Sequence, residues 1–405
     1  MKKLSYIFLF LSLNLVTFYF SYYNSTNISP ENLLASVFFT DSSSTDYLKN
    51  NYNKSEKKIK ILVVPGHDEV SSGTQYKGAR EANLTSILGN ELISLLQKDN
   101  RFEIILSRDG NLANPQIKKY LENNKDKIEN FTKDKKALMN DLILSGSIAT
   151  TSGVSHVSVG AETANRLYGT NMWANENEVE LILHIHLNDY PKRKLNMEGK
   201  YSGFSIYVPE PQYSNSKSST ELANYVFKEL KRFYPISNMP KENSGVISDQ
   251  ELIAIGAYNT LNPASMLIEY GYIYESQFTN EKIRNTLFKD MAYQTYLGIT
   301  RFFNKQEYGK NYWKTTLLPY YWDTNLSASK ENISTLSLQS ALTLEGVYPP
   351  KKYTKNECPI TGSYKQCTVL AIKEFQKKYG IDQSGRMGPR TLKKLNDLYS
   401  KIPGD

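Results

Sequence analysis

Short apolar runs alternate in this chain with segments whose apolar residues recur at helical spacing. Lys60–Val64 is an apolar, β-branched run that predicts a buried strand, and Glu103–Leu106 predicts a second strand. Between them, the leucine and isoleucine residues of Leu84–Leu96 recur at the spacing of one helix face. Strand, helix and strand in this order predict a parallel βαβ unit, and this unit constrains the fold more than any other feature.

The alternation continues over residues 57–306, which therefore predict an α/β domain with a mostly parallel open sheet flanked by helices. The further predicted strands are Glu180–Ile185, Phe204–Val208 and Ala264–Glu269, and the further predicted helices are Leu222–Phe233 and Ile283–Phe303. Residues 110–165 are polar, rich in Lys and Asn, and predict helical stretches without a strand. We interpret them as an insertion in the domain.

The N-terminal segment predicts a membrane-directed leader. Leu4–Tyr23 carries no charge, and twenty helical residues rise about 30 Å, which is the thickness of a hydrocarbon core. Lys2 and Lys3 precede the run and are expected to stay in the cytoplasm. We therefore expect a signal anchor or a signal peptide over residues 1–24, a polar linker over 25–56, and an extracytoplasmic protein that is membrane-anchored or, if cleaved, secreted.

The last part of the chain predicts a separate small helical unit over residues 331–405, which follows a connector rich in Tyr and Trp over 307–330. For the aromatic residues of the connector, packing onto the domain is a more common role than stacking on sugar rings. Three helices are expected in the unit: one that carries Leu338 and Leu342, one that begins with Thr368 as its N-cap, and one that begins after Gly388 with Pro389 in its first turn.

Composition narrows the classes of protein that this chain can be. Its 405 residues include only two cysteines, which excludes a disulfide-dense scaffold and a Cys-rich metal cluster. Outside the cell, a disulfide between Cys358 and Cys367 is expected. The formal net charge of +8 fits an anionic partner, but no nucleic-acid motif accompanies it, so we expect no nucleic acid partner.

Side chains that can bind a metal ion or move a proton lie where the predicted strands end. His67 directly follows the first strand, His186 ends a later strand, and Glu269 ends the strand predicted last. Glu81 lies in the turn after the first strand and opens the first helix. Ligands of open α/β sheets bind beyond the carboxyl ends of the strands, so we expect these residues to meet at one edge.

This set of residue types suits metal-assisted hydrolysis of an amide. Two histidines and one glutamate are a sufficient ligand set for catalytic Zn²⁺, with a fourth position left for water. The ion lowers the pKa of the water and polarises a carbonyl, and a second carboxylate is needed to move the proton to the leaving amine. His184 and His186 lie two residues apart on one strand and share a face, so periodicity leaves both as candidate ligands.

The chain contains, in order, Val63-Val64-Pro65-Gly66-His67, Arg80-Glu81-Ala82-Asn83-Leu84, Ile185-His186-Leu187-Asn188 and Pro263-Ala264-Ser265-Met266-Leu267-Ile268-Glu269-Tyr270-Gly271. These motifs resemble those of the zinc-dependent N-acetylmuramoyl-L-alanine amidases (the amidase_3 family) over about residues 57–306. The resemblance implies that His67, Glu81 and His186 bind Zn²⁺ and that Glu269 is the catalytic glutamate. It also implies hydrolysis of the amide between N-acetylmuramic acid and L-alanine in peptidoglycan.

The C-terminal unit resembles the peptidoglycan-binding type 1 domain. The matching residues are Leu338-Gln339 with Leu342, then Thr368, Ala371, Phe375-Gln376, Tyr379-Gly380, Gly385, Gly388 and Thr391 to Leu395. This resemblance implies peptidoglycan as a binding partner. The insertion is either a lid or partner-docking element over the metal ligands, for an activator that the sequence does not identify, or a passive elaboration of the surface.

The chain departs from the family pattern around its first and third motifs. Val64 stands where the family has Asp, and Asp68 and Glu69 stand where it has two glycines. His184 takes the place of a Ser, and we interpret His156, in the insertion, as a surface histidine. Two other hypotheses therefore stay open: a zinc peptidase that cuts another wall peptide bond, and a wall-binding protein whose catalytic site has decayed.

Overall fold

The structure, a computed structural model, describes residues 44–54, 57–154, 156, 159–304, 315–323, 326 and 331–401. The strands are β1 (Ile59–Pro65), β2 (Gln75–Tyr76), β3 (Ala79–Arg80), β4 (Phe102–Leu106), β5 (Arg108–Asp109), β6 (Leu112–Ala113), β7 (Leu181–Asn188), β8 (Ser205–Pro209), β9 (Val246–Asp249) and β10 (Ala264–Tyr272). The helices are α1 (Thr45–Lys54), α2 (Glu81–Leu96), α3 (Pro115–Asn123), α4 (Lys125–Leu144), α5 (Ala161–Glu176), α6 (Ser216–Phe233), α7 (Ser276–Thr279), α8 (Glu281–Phe303), α9 (Ile333–Leu344), α10 (Gln366–Lys378) and α11 (Pro389–Tyr399).

The main sheet of the described chain has the strand order β4-β1-β7-β10-β8-β9. Strands β4, β1, β7 and β10 run parallel, whereas β8 pairs antiparallel with β10 and parallel with β9. The α/β class is confirmed, and the sheet is mixed because the connection from β7 to β8 contains no crossover helix and reverses the chain. The carboxyl ends of β1, β7 and β10 therefore meet at one edge of the sheet.

Helices cover both faces of this sheet, and alternate residues of each strand pack against one layer or the other. On one face Val63 packs in a core that includes Leu88 of α2. On the opposite face Leu62 and Ile182 pack with Trp173 of α5. Burial on both faces explains why the central strands are continuous apolar runs rather than alternating ones.

Helix α1 corrects the predicted linker over residues 25–56 for its positions 45–54, whereas residues 25–43 lie outside the described residues. Leu48 and Tyr52 are 0% and 1% exposed, and the Tyr52 hydroxyl donates a hydrogen bond of 2.7 Å to the Asp99 carboxylate. The remaining residues of the helix are mostly polar, so its composition resembles that of a tether. Two apolar side chains one helical turn apart are nevertheless enough to attach it to the domain.

The membrane segment expected over residues 1–24 falls outside the described residues. Within the described ranges, no helix is both long and apolar enough to cross a bilayer. Attachment to a membrane therefore stays a prediction.

The segment interpreted as an insertion, 110–165, contains helices α3 and α4 and ends inside α5, which begins at Ala161. The expectation that it lacks strands is wrong for β6, which pairs with β5 across a tight turn. Ile117 of α3 and Ile128 of α4 are buried in clusters with residues of α5, so the segment packs firmly on the domain. Its role as a lid or as a passive elaboration stays a prediction.

The C-terminal unit contains the three expected helices, and α11 begins after Gly388 with Pro389 at its first position as expected. The predicted start of the middle helix is wrong, because α10 begins at Gln366 and Thr368 lies within it. The buried Thr368 hydroxyl instead accepts a hydrogen bond of 3.0 Å from the Gln339 amide, and this long-range contact has no local signature.

In the described part of the connector Trp322 is buried, as expected for a packing role, but it packs on the C-terminal unit, and Tyr321 is 65% exposed. The Trp322 side chain is 2% exposed, and its indole N–H donates a hydrogen bond of 2.9 Å to the Ser334 carbonyl. Tyr308, Tyr312 and Trp313 lie outside the described residues.

The C-terminal unit docks directly on the α/β domain. The Lys355 ammonium donates to the carbonyls of Lys231 and Arg232 at the C-terminal end of α6, and the Asn356 amide donates to the Ser202 carbonyl at 3.2 Å. Burial, together with the positive charges of Lys231 and Arg232, lowers the pKa of Lys355 to about 8. The two units therefore share a polar interface.

Cys358 and Cys367 form a disulfide, as expected, and Cys358 is buried.

Replacing both cysteines with serine should lower the free energy of unfolding of the C-terminal unit by about 2–3 kcal/mol, because the cross-link reduces the conformational entropy of the unfolded chain. Urea unfolding of the full chain, with hydrogen exchange in α10 as the local readout, measures this loss. Reduction of the wild type should reproduce it, and equal stability of variant and wild type would contradict the prediction.

Candidate metal centre and active site

His67 lies in the loop that leaves β1, with a backbone φ of 62°. The residue before it must be glycine, because a Cβ on Gly66 would lie 2.3–2.6 Å from ring atoms of His186. The His67 Nε2 atom is 3.2 Å from Glu81 Oε2. The close approach of the loop to β7 thus brings both histidines to the start of α2.

Glu81, the first residue of α2, is only 3% exposed. Its Oε1 atom lies 3.1 Å from His186 Nδ1 and accepts a hydrogen bond of 3.1 Å from the Leu187 backbone N–H. Its Oε2 atom accepts one of 3.0 Å from the Thr74 N–H. Burial alone would raise the pKa of Glu81, but the charge of His67 and hydrogen bonds from both histidines outweigh it and hold this pKa well below its usual range.

Glu269 on β10 lies beside His186 on β7 in the register of the parallel ladder. Its Oε2 atom is buried and has no hydrogen-bond partner within the described part of the chain. Burial, followed by the negative charges of Glu81 and Glu242, raises the pKa of Glu269 well above its usual value. A buried carboxyl group with a free oxygen is suited to moving a proton.

His67, Glu81 and His186 each bring one ligand atom to within 4.8 Å of the others. Burial lowers the pKa of His186, which favours the neutral imidazole that binds metals. Two imidazoles and one carboxylate fit Zn²⁺ in chemistry and number. Among the described residues, no further His, Cys, Asp or Glu joins this group, so room for water or substrate is left in the ligand set.

Arg108, which was not among the residues predicted from the sequence, links the two backbone segments that carry His67 and Glu81. Arg108 is 7% exposed, and its Nη2 atom donates to the Gly66 carbonyl at 2.7 Å and to the Ala82 carbonyl at 2.9 Å. Gly66 directly precedes His67, and Ala82 directly follows Glu81. A signal existed, because Arg108 is a charged residue just past the end of a predicted strand.

The acidic residues that replace the glycines of the family pattern have partners outside the metal-ligand group. Asp68 accepts a hydrogen bond of 2.8 Å from the Ser71 N–H and forms an ion pair of 2.5 Å with Arg166 of α5. The Glu69 carboxylate accepts a hydrogen bond from the Asn111 amide between β5 and β6. These departures therefore attach the His67 loop to the neighbouring segments and leave the three candidate ligands together.

His184 shares the face of His186 but lies outside the metal-ligand group, so the structure separates the two candidates that periodicity left open. It is 2% exposed, and burial, together with the charge of His186, lowers the pKa of His184 to about 3. Its imidazole is therefore neutral, and its Nε2 atom is buried without a hydrogen-bond partner in the described part of the chain.

His156 is not a simple surface histidine, which corrects its interpretation from sequence. Its Nε2 atom lies 2.8 Å from the buried carboxylate of Asp249, and its ring packs edge-on against Tyr207 at 5.5 Å between ring centres. The partner lies more than ninety positions away in sequence, so no local pattern could reveal the pair.

A further buried carboxylate, Glu242, supports the same end of the sheet and was also missed. It accepts hydrogen bonds from the Asn188 amide and from the hydroxyls of Tyr207 and Tyr272. Asn188 ends the strand that carries His186, and Tyr272 ends the strand that carries Glu269. Glu242 lies in a loop before β9, where its burial has no sequence signature.

Two family models match this chain. One, described as N-acetylmuramoyl-L-alanine amidase, matches residues 61–301, and the other, a provisionally described peptidoglycan binding domain, matches residues 335–395. The second match agrees with the small helical unit at the C-terminal end of the described chain.

Individual proteins are similar over the same region. A provisionally named N-acetylmuramoyl-L-alanine amidase of Buchnera aphidicola subsp. Acyrthosiphon pisum is 24% identical over 257 residues, which cover 62% of this chain and 98% of that protein. The structure of an N-acetylmuramoyl-L-alanine amidase from Clostridium difficile 630 is 15% identical, with a TM-score of 0.40, and covers 62% of this chain and 100% of that one. The structure of the N-acetylmuramyl-L-alanine amidase Ami1 from Mycobacterium smegmatis is 15% identical, with a TM-score of 0.37, and covers 62% of this chain and 99% of that one. Since the first family model spans more than half of the chain, this protein belongs to the N-acetylmuramoyl-L-alanine amidase family.

Proposed function

We propose that this chain hydrolyses the amide bond between N-acetylmuramic acid and L-alanine in peptidoglycan, with Zn²⁺ bound by His67, Glu81 and His186. The observation that carries the proposal is the position of these three side chains, whose ligand atoms lie within 4.8 Å of one another, together with the pairing of His186 and Glu269 in the strand ladder. Glu269 is the catalytic glutamate.

The chemistry divides between the ion and Glu269. When bound, Zn²⁺ would lower the pKa of a water molecule and polarise the substrate carbonyl. Glu269 takes a proton from the attacking water on its free Oε2 atom and then gives it to the nitrogen of the departing alanine. Arg108 and the backbone donors around Glu81 hold the ligands in place throughout.

We assign catalysis to residues 57–306 and wall binding to residues 331–405. The bounds of the two matching family models, 61–301 and 335–395, support this division. Peptidoglycan is then the substrate of one unit and the ligand of the other. A peptidoglycan substrate supports an extracytoplasmic location, and the protein is either anchored in the membrane through residues 1–24 or secreted if that segment is cleaved.

Glu269→Gln should lower the rate of hydrolysis at least about 100-fold, because the amide cannot accept the proton of the water. Bound zinc should remain, since Glu269 is not among the proposed ligands. Mass spectrometry of digested muropeptides measures the release of intact stem peptides with a free alanine amino group. The exposed Glu103 provides a matched control, and Glu103→Gln should be fully active. Full activity of Glu269→Gln would exclude this mechanism, and products cut within the peptide would instead indicate a zinc peptidase.

Removal of the metal should abolish activity, and Zn²⁺ should restore it. His67→Ala and His186→Ala should each lose bound zinc, as measured by metal analysis of the purified protein, because each removes one of three ligands. His156→Ala is the matched control and should keep its zinc, since His156 pairs with Asp249 instead. A wild-type protein without zinc would favour a decayed wall-binding protein.

Arg108→Lys should weaken zinc binding about 10- to 100-fold while the fold is retained, because a lysine cannot bridge both carbonyl groups that Arg108 holds. Competition with a chromophoric chelator measures the affinity, and circular dichroism checks the fold. Arg101→Lys is the control and should leave the zinc affinity unchanged, because Arg101 pairs with Asp99 and not with the segments that carry the ligands. Unchanged zinc affinity in Arg108→Lys would show that the guanidinium does not position the ligands.

A further inference from the structure

Four cationic side chains gather where the end of α6 meets the C-terminal unit. Lys228, Lys231 and Arg232 lie on the last two turns of α6, and all three are exposed. Lys355 of the C-terminal unit donates hydrogen bonds to the carbonyls of Lys231 and Arg232, so its ammonium group lies against the end of this helix. Together the four side chains form the basic seam, a surface that spans both units.

The acidic residues around the basic seam do not neutralise it. Glu229, the acidic residue of this part of α6, forms an ion pair with Arg301 of α8, which brings a fifth positive charge of its own. The Glu357 carboxylate accepts hydrogen bonds of 2.7 and 2.9 Å from the backbone N–H and the hydroxyl of Thr354. Among the described residues, no carboxylate forms an ion pair with any of the four seam cations, so the surface keeps an excess of positive charge.

The seam cations repel one another in the unbound protein. Lys228 lies three positions before Lys231 and four before Arg232, and like charges at these spacings destabilise a helix. The charges of Lys231 and Arg232 also act on Lys355, because they add to burial in lowering its pKa. A bound anion would relieve this repulsion, so the folded chain favours anion binding at the seam.

The arrangement of the charges fits a linear polyanion. Lys228 and Lys231 are about 4.5 Å apart in rise along the helix axis, and Lys355 lies against the helix end beyond them. The guanidinium of Arg232 can donate to two oxygens of one phosphate group, whereas each ammonium group acts as a point charge. Successive phosphate groups along one flexible chain would therefore meet successive cations of the seam.

We propose that the basic seam binds a linear phosphodiester polymer of the poly(glycerol phosphate) type. This inference goes beyond the proposed function, because such a polymer contains no amide bond for the candidate active site to cut. A polymer along the seam would contact the α/β domain and the C-terminal unit at the same time.

The test is a titration of the full chain with synthetic poly(glycerol phosphate), followed by isothermal titration calorimetry. Lys228→Gln/Lys231→Gln should raise the Kd about three- to thirtyfold at low ionic strength, because each exposed charge pair contributes modestly. The difference from the wild type should shrink as added salt screens the charges. The backbone carbonyl of residue 231 stays in place to accept the hydrogen bond from Lys355, so the docking of the two units is retained.

Lys133→Gln/Lys136→Gln on α4 is the matched control. Both lysines are exposed and have the same three-residue spacing on a helix. The Lys136 Nζ atom lies 5.5 Å from the centre of the Tyr168 ring, just as the Lys228 Nζ atom lies 5.5 Å from that of Tyr225. The control removes the same charge from a different surface, and its Kd should equal that of the wild type.

An unchanged Kd in the test variant would overturn the inference. An equal rise in the control would also overturn it, because net charge alone would then explain the binding. Poly-L-glutamate and vesicles of phosphatidylglycerol with phosphatidylcholine are the other arms of the test. Wild-type binding to either of them as tight as to the phosphodiester polymer would refute the inference and assign the seam to carboxylates or to a membrane. These measurements involve no hydrolysis, so failure of the proposed function would leave them unchanged.

Discussion

The buried charge of Glu81 is the interaction on which the whole site depends. A carboxylate in the protein interior is costly unless hydrogen bonds and opposite charges compensate for its lost hydration. Here the backbone N–H groups of Thr74 and Leu187 and the imidazoles of His67 and His186 provide that compensation. They come from three separate segments, so satisfying one charge holds the hairpin, the His67 loop and the end of β7 together.

Arg108 is the cationic counterpart of this arrangement. Glu81 accepts hydrogen bonds from backbone N–H groups, whereas Arg108 donates hydrogen bonds to the backbone carbonyls of Gly66 and Ala82. Sheet topology alone brings the strand ends within reach of one another, but it leaves the loops that follow them free to vary. The two buried charges fix those loops at the places where Gly66 and Ala82 flank the candidate ligands. The site is thus shaped before any cation binds.

The sequence was informative where a residue's role follows from its position on a strand. The order of strands and helices predicted the sheet, and the strand ends identified His67, His186 and Glu269 as a group. It was uninformative where the role depends on a distant partner, as for Thr368 with Gln339 and for His156 with Asp249. Helix α1 was missed for a different reason: its polar composition hides a buried face of two side chains.

The docking of the C-terminal unit also affects how such an enzyme would work on a polymer. A wall-binding unit on a loose tether allows cuts anywhere within the reach of the tether. Here Lys355 and Asn356 attach the unit to the end of α6 and to the segment before β8, so its distance from the candidate site is set by the fold. The distance between the small unit and the candidate site is therefore a property of the folded protein, and not of the length of a flexible linker.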